Sequence, residues 1–259
     1  GLLCLLACKT YQIAGTWGIL LMRILLTNDD GINARGIQAL RESLLPHAQI
    51  YMVAPDQQRS GTGHSITVFD PIRVKKMVFP GVEQAWHVQG KPADAVKMAL
   101  SRLLEDKPDL IISGINHGSN LGTDILYSGT VSAAAEGVIM GIPAIAISLD
   151  SFALDADFSL AARFAVQMVK LIENEGIEKS TLLNINVPAV PAAEIKGIRV
   201  CKMGVRIYNN VFEPRTDPRG NTYFWLGGGR VDNLSGEDTD VFLAKHNYIT
   251  ITPIHLDLT

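Results

Sequence analysis

The feature that most constrains the fold is an alternation: a short apolar run closed by turn residues, then a stretch of helical periodicity. Met22–Thr27 (MRILLT), Gln49–Ala54 (QIYMVA, closed by Pro55), Leu110–Ser113 (LIIS), Ala144–Leu149 (AIAISL) and Thr181–Val187 read as buried strands. Between them Ile37, Leu40, Leu44 and Leu45 keep an i, i+3, i+7, i+8 stripe. Val96, Leu100, Leu103 and Leu104 share one face of a helix predicted over Pro92–Leu104. Further helices are predicted at Thr130–Met140 and Phe158–Ile172. Apolar strands alternating with helices argue for a parallel sheet covered on both faces. The expected fold class is α/β: a Rossmann-like, mostly parallel sheet with helices on both faces, plus a C-terminal β-rich extension. Such sheets bind ligands beyond the carboxyl ends of their strands, where Asn28–Asp30 and Gly114–Asn120 fall.

The catalytic core is expected over residues 22–188. After Pro188 helical periodicity largely stops, and Gly197–Met203, Val205–Phe212 and Thr222–Leu226 read as strands around "EPRTDPRGN". Residues 189–259 are therefore expected to form a β-rich extension whose hairpin arm packs on a partner subunit. Residues 1–21 are apolar but interrupted by Lys9 and lack a basic leading region, which makes a poor signal peptide. "LLAC", Leu5–Cys8, looks like a lipoprotein cleavage box; the preferred reading is an upstream extension outside the fold, with Met22 as a natural start.

Apolar residues make up 47% of the chain, enough for a sizeable core. A net charge of −3 gives no strong attraction to a nucleic acid polymer or an anionic membrane. Of three cysteines only Cys201 lies in the main body, so no disulfide framework is expected and a cytoplasmic location fits.

Four stretches could carry chemistry. "LLTNDDGI", Leu25–Ile32, sets Asp29 and Asp30 side by side just past a strand, where both carboxylates can converge on a hard cation such as Mg²⁺ or Mn²⁺. The plainer reading is an Asx-turn leading into a helix. "APDQQRSGTGHSIT", Ala54–Thr67, offers the Ser60 hydroxyl, the Arg59 cation and glycines that allow close approach of a ligand; a surface loop would look the same. "SGINHGSNLG", Ser113–Gly122, places Asn116 and Asn120 among glycines, as neutral oxygen ligands or amide donors, or as left-handed loop residues. "YSGTVSAAAEG", Tyr127–Gly137, starts a helix with Ser128, Gly129 and Thr130, either as an anion-binding N-terminus or as a plain N-cap. All four map to one sheet edge, and together they describe a metal-dependent site for a phosphate ester. His64 and His117 sit in these loops and could do acid–base work, whereas His47, His87, His246 and His255 read as structural. No H-x-x-H or cysteine pair supports zinc, and no G-x-S-x-G elbow or P-loop is present.

With "VAPDQQRSG", "PADAVKMAL", "NINVP" and "HNYITITP" added, the ordered set resembles the SurE family, the stationary-phase survival nucleotidases. The resemblance is strong from Met22 to about Leu149 and weaker to the end. It implies a metal-dependent phosphatase acting on nucleoside 5′- and 3′-monophosphates, with short polyphosphate a further substrate. It implies one divalent ion per subunit, Mg²⁺ or Mn²⁺, held by Asp29, Asp30, Ser60 and Asn116, with Asp29 and Asp30 catalytic. It matches Asn120, Ser128, Gly129 and Thr130 less securely to phosphate binding, and it implies a homodimer or homotetramer assembled through the arm. The chain departs from the family pattern G-T-P-A-D-C at Lys91 and Ala95; Lys91 would add positive charge near the substrate path. A water molecule rather than an aspartate is expected to attack phosphorus, since the D-x-D-x-[TV] pattern is absent. A zinc hydrolase of the deacetylase kind and a non-catalytic nucleotide sensor are the alternatives.

Overall fold

The computed structural model describes residues 21–178, 180–209, 211–231 and 236–257. The expectations for residues 1–20, including the Leu5–Cys8 box, lie outside the described residues.

Among the described residues thirteen strands and five α-helices follow one another. Six parallel strands form the centre of a nine-stranded sheet: β1 (Arg23–Thr27), β2 (Gln49–Pro55), β4 (Gln84–Val88), β5 (Leu110–His117), β6 (Ala144–Asp150) and β7 (Thr181–Pro188). Their order is β4-β2-β1-β5-β6-β7, with β3 (Val74–Met77) antiparallel on β4 at one edge. The chain moves outward from β1 on one side and returns on the other, so the topological switch lies between β1 and β5. Ligand crevices in such sheets open at this point.

Alternation along β1 decides which helix covers which face. Ile24 and Leu26 join Ile37, Leu40 and Leu44 of α1 (Arg35–Leu44) and Phe164 and Met168 of α4 (Ser159–Glu175). Leu25 points the other way, into a second core with Val96 of α2 (Pro92–Met98) and Val131, Ala134 and Val138 of α3 (Gly129–Ile139).

Three differences from the sequence reading matter. First, β5 runs on to His117 across an irregularity between Ser113 and Asn116, so Asn116 stands in a strand opposite Ser148 rather than in a loop. Second, β3 and β4 lack an apolar run, because β3 is a short exposed edge strand with two lysines. Third, the sheet continues past Pro188. Strand β13 (Tyr248–His255) pairs antiparallel with β7, and β8 (Gly197–Val200) pairs with β13. Only β9 (Ile207–Tyr208) with β12 (Arg230–Val231), and β10 (Val211–Thr216) with β11 (Thr222–Gly227), form separate antiparallel pairs. The short helix α5 (Asp240–Lys245) leads into β13.

Candidate active site

The loop after β1 begins with Asn28, fully buried. Its side-chain amide donates to the Gly31 carbonyl at 2.8 Å, and its Oδ1 accepts from the Gly31 N–H at 3.1 Å. An Asx-type turn therefore exists, but Asn28 makes it, and both aspartate side chains are left for other work. Asp29 is held by the Thr130 hydroxyl, which donates to its Oδ1 at 2.5 Å. Asp30 accepts from the His117 N–H at 3.2 Å and from the Gln58 amide at 3.4 Å. The same Gln58 amide donates to Ser60 Oγ at 2.9 Å, so one side chain ties Asp30 to Ser60. The loop carrying Ser60 is fixed to the loop after β1 by the Arg59 N–H, which donates to the Asp29 carbonyl at 2.7 Å.

Asp29, Ser60, Asn116, Asn120 and Ser128 line one cleft of about 960 Å³, together with His117. The Asn116 amide nitrogen donates to the Gly118 carbonyl at 2.7 Å, which turns its Oδ1 away from that bond. Asn120 is pinned by β7: the Asn184 and Asn186 amides donate to its carbonyl at 2.8 and 3.0 Å, and its N–H donates to Asn186 Oδ1 at 2.8 Å. At the start of α3, Ser128 Oγ accepts from the Val131 N–H at 3.1 Å, so Ser128 is an N-cap. Thr130 is fully buried and its hydroxyl is spent on Asp29. What remains for an anion are the first-turn N–H groups of Gly129 and Thr130, which have no intrahelical acceptor. Gly129 is required here, since a Cβ would sit 2.7 Å from Asp29 Cβ.

Burial pushes the Asp29 carboxyl up to about 6, with the Asp30 charge adding to the rise and the Thr130 hydroxyl opposing it. Burial also raises Asp30, opposed by the His117 N–H. Among the described residues no lysine or arginine makes ion-pair contact with either of these adjacent, desolvated carboxylates, which leaves the acid pair uncompensated there. Among the described residues no group of three or more His, Cys, Asp or Glu could hold a metal ion. The donors gathered here are two carboxylates, a hydroxyl and an amide carbonyl, all hard oxygens, and they fit a hard divalent cation rather than zinc.

Several expectations are relocated. His64 is not in the cleft lining; its Nε2 lies 3.0 Å from Glu136 Oε2, and Lys97 Nζ donates to Glu136 Oε1 at 2.6 Å. This buried tie anchors the Ser60 loop to α3. Lys91 is absent from the lining too: its ammonium donates to the Ile66 carbonyl at 3.1 Å. His117 does line the cleft, and its Nε2 meets the Ala153 carbonyl at 2.8 Å, which makes Nε2 the protonated nitrogen. Sequence reasoning missed the outer wall: Asp124, Tyr127, Phe152, Arg206, Tyr208 and Phe212. Phe152 follows the end of β6 and was findable from that position; Arg206 and Phe212 arrive only because the C-terminal arm folds back over the cleft.

The family model described as "Survival protein SurE" matches residues 24–210. A relative named "5'-nucleotidase SurE" from Syntrophomonas wolfei subsp. wolfei is 61% identical over 92% of this chain and 90% of its own. Another of that name from Heliobacterium modesticaldum is 51% identical over 92% of this chain and 88% of its own. The crystal structure of the SurE protein from Aquifex aeolicus superimposes with a TM-score of 0.79 at 42% identity, covering 92% of this chain and 94% of that one. Asp29, Ser60, Asn116, Asn120 and Ser128 share one cleft, Asp30 stands just behind its lining on the His117 N–H and Gln58, and with these matches the chain belongs to the SurE family.

Proposed function

We propose that the protein is a metal-dependent 5′-nucleotidase that hydrolyses nucleoside 5′-monophosphates, and 3′-monophosphates, to nucleoside and phosphate. Short polyphosphate is a further substrate. The observation that carries this reading is the pair of buried Asp29 and half-buried Asp30, raised by desolvation, beside the first-turn N–H groups of α3. The names of the relatives, at up to 61% identity, support the nucleotide substrate.

Asp29, Asp30, Ser60 and Asn116 would hold one Mg²⁺ or Mn²⁺ per subunit. When bound, that cation would polarise a phosphoryl oxygen and offset negative charge at the site. The Gly129 and Thr130 N–H groups would take the other phosphoryl oxygens, helped by the positive end of the α3 dipole. Asn120, whose backbone carbonyl is held by Asn184 and Asn186 and whose side-chain nitrogen donates to Ser148 Oγ at 2.8 Å, would border the phosphate end of the cleft. Water would attack phosphorus rather than a carboxylate, because both aspartates would be committed to the cation; the P–O bond to the nucleoside breaks and the nucleoside oxygen takes up the proton that the water gives up. With His117 Nε2 given to the Ala153 carbonyl, Nδ1 is the ring nitrogen that would serve acid–base work. The nucleoside would lie along the aromatic outer wall.

The β10–β11 hairpin exposes Phe212, Phe224, Trp225 and Leu226, between 60% and 65% accessible, which supports a homodimer or homotetramer formed through the arm. Among the described residues no helix is long and apolar enough to cross a membrane. A cytoplasmic location fits the buried free thiol of Cys201.

The test is phosphate release from a panel of nucleoside 5′- and 3′-monophosphates with Mg²⁺, Mn²⁺ or chelator, for wild type and Asp29→Asn. Metal-dependent release abolished by the substitution is expected. Tight nucleotide binding without release under any metal would replace the enzyme with a sensor; tight stoichiometric zinc would revive the zinc hydrolase.

A further inference from the structure

Asp240 is fully buried, outside the cleft lining and beyond residues 24–210. It is the first residue of α5, where a carboxylate ordinarily serves the helix end. That duty is already taken: the Thr239 hydroxyl caps α5 by accepting from the Phe242 N–H at 3.4 Å. Apart from the Val241 N–H of its own helix, the Asp240 carboxylate serves other segments. Its Oδ2 accepts from the Gly122 N–H at 2.8 Å, and its Oδ1 accepts from the Gly204 N–H at 2.7 Å and the Val241 N–H at 2.8 Å. Three backbone donors from three segments thus converge on one carboxylate.

Two of those segments border the cleft. Gly122 begins the 3₁₀ turn Gly122–Tyr127, which connects Asn120 to the α3 start. Gly204 is the root of the C-terminal arm. The same two segments meet again nearby. The Thr123 hydroxyl donates to the Arg206 carbonyl at 2.5 Å, Arg206 Nη1 meets Asp124 Oδ2 at 2.9 Å, and the Tyr208 hydroxyl donates to Asp124 Oδ2 at 2.8 Å. Below them Leu121, Val241 and Ala244 form a small apolar cluster of their own. The turn is therefore held from outside the cleft by α5 and the arm root, and it carries the Tyr127 and Asp124 part of the wall.

We infer that Asp240 is a positioning residue for the phosphatase site, fixing the Gly122–Tyr127 turn against the arm root so that Asn120, the α3 start and the outer wall keep one geometry. This rests on the nucleotidase reading above. Asparagine at this position keeps the volume but offers one acceptor and one donor where three N–H groups need acceptors. Whichever way the amide turns, a donor faces a donor and at least one tie is lost.

The experiment compares wild type, Asp240→Asn and Ile172→Ala, a core substitution in α4 far from the cleft that serves as a control for lost stability. Each is assayed, at a temperature where all are folded by circular dichroism, with a nucleoside monophosphate and with p-nitrophenyl phosphate. Hydrogen exchange of the Asn120–Val131 segment is followed in parallel. In Asp240→Asn, kcat should fall about tenfold for both substrates, since the phosphate end is shared and small displacements are costly. KM should rise several-fold for the nucleotide alone, because only the nucleoside reaches the outer wall. Exchange across the turn should quicken about tenfold or more. A merely structural role would give equal kcat losses with unchanged KM, and the same exchange pattern as Ile172→Ala; either result overturns the inference. If wild type itself releases no phosphate, the nucleotidase reading fails. Exchange alone then decides whether Asp240 holds the turn: acceleration confined to Asp240→Asn upholds the clamp, and its absence sinks it.

Discussion

Replacing Asp29 by asparagine should move stability and activity in opposite directions. The Asp29 side chain is almost wholly buried, and burial lifts its carboxyl from the ordinary 3.8 to about 6. At about 1.4 kcal/mol per tenfold, keeping it ionised at neutral pH costs the metal-free fold about 3 kcal/mol. Because the folded value is the higher one, this cost is absent below the ordinary 3.8 and complete once the pH has passed about 6. Asparagine keeps the shape, and its carbonyl still accepts from the Thr130 hydroxyl. In chelator at neutral pH the variant should therefore be more stable than wild type by about 2 kcal/mol, or roughly 4–8 °C in a chain of this size. Added Mn²⁺ should raise the wild-type midpoint at neutral pH and much less in mild acid, where a proton occupies the carboxylate. The variant should gain little at either pH, while its phosphate release falls about 100-fold or more. Calorimetry or circular dichroism melts, with and without Mn²⁺, supply the stability half. A variant less stable than wild type in chelator, or one that gains as much from Mn²⁺, would refute the reasoning and make Asp29 a structural carboxylate.

Gly129→Ala puts a methyl 2.7 Å from Asp29 Cβ, which must push α3 and the acid pair apart; a folded protein with activity lowered about 100-fold is expected, and near-normal kcat/KM would show that the contact relaxes harmlessly. Thr130→Val deletes the hydrogen bond that opposes the rise at Asp29, so the acid limb of the kcat/KM–pH profile should move to higher pH, and an unmoved limb would detach that limb from Asp29. Glu136→Gln weakens the His64 and Lys97 ties that hold this carboxyl below its ordinary 4.5; stability in urea should fall by about 1–2 kcal/mol. Since the folded value is the lower one, that deficit should be full above 4.5 and close as the pH falls through the folded value; a deficit independent of pH would point to packing instead.

The central sheet was legible because buried parallel strands leave continuous apolar runs, and LIIS or AIAISL cannot easily be anything else. The acid pair was legible for a related reason: two carboxylates at the end of such a run need either exposure or a counter-charge, and the topology puts them at the switch point between β1 and β5. What the motif could not divide was labour among neighbours. Asn28, not either aspartate, makes the turn, and Thr130 serves Asp29 rather than presenting its hydroxyl to an anion. Hydroxyl direction depends on contacts 101 residues apart in sequence, which no local pattern encodes.

The C-terminal third was harder because its assignments are set by pairing, not by periodicity. "YITITPIH" is not among the strands read from the sequence, and nothing local says that it crosses back to lie antiparallel on β7. Yet "LLNINVP" did hold a usable signal. Asn184 and Asn186 stand two apart in an apolar strand, hence on one face, and both are fully buried. A buried amide without a partner costs at least about 1–3 kcal/mol, so two in register demand a specific polar backbone opposite them. That backbone is Asn120. Asp240 makes the same demand within "TDVFLA", where a helix start disguises it as a cap. In both cases the residue that arranges the site is a polar group too expensive to bury for packing alone, and its partner lies in the loop that runs from Asn120 to α3.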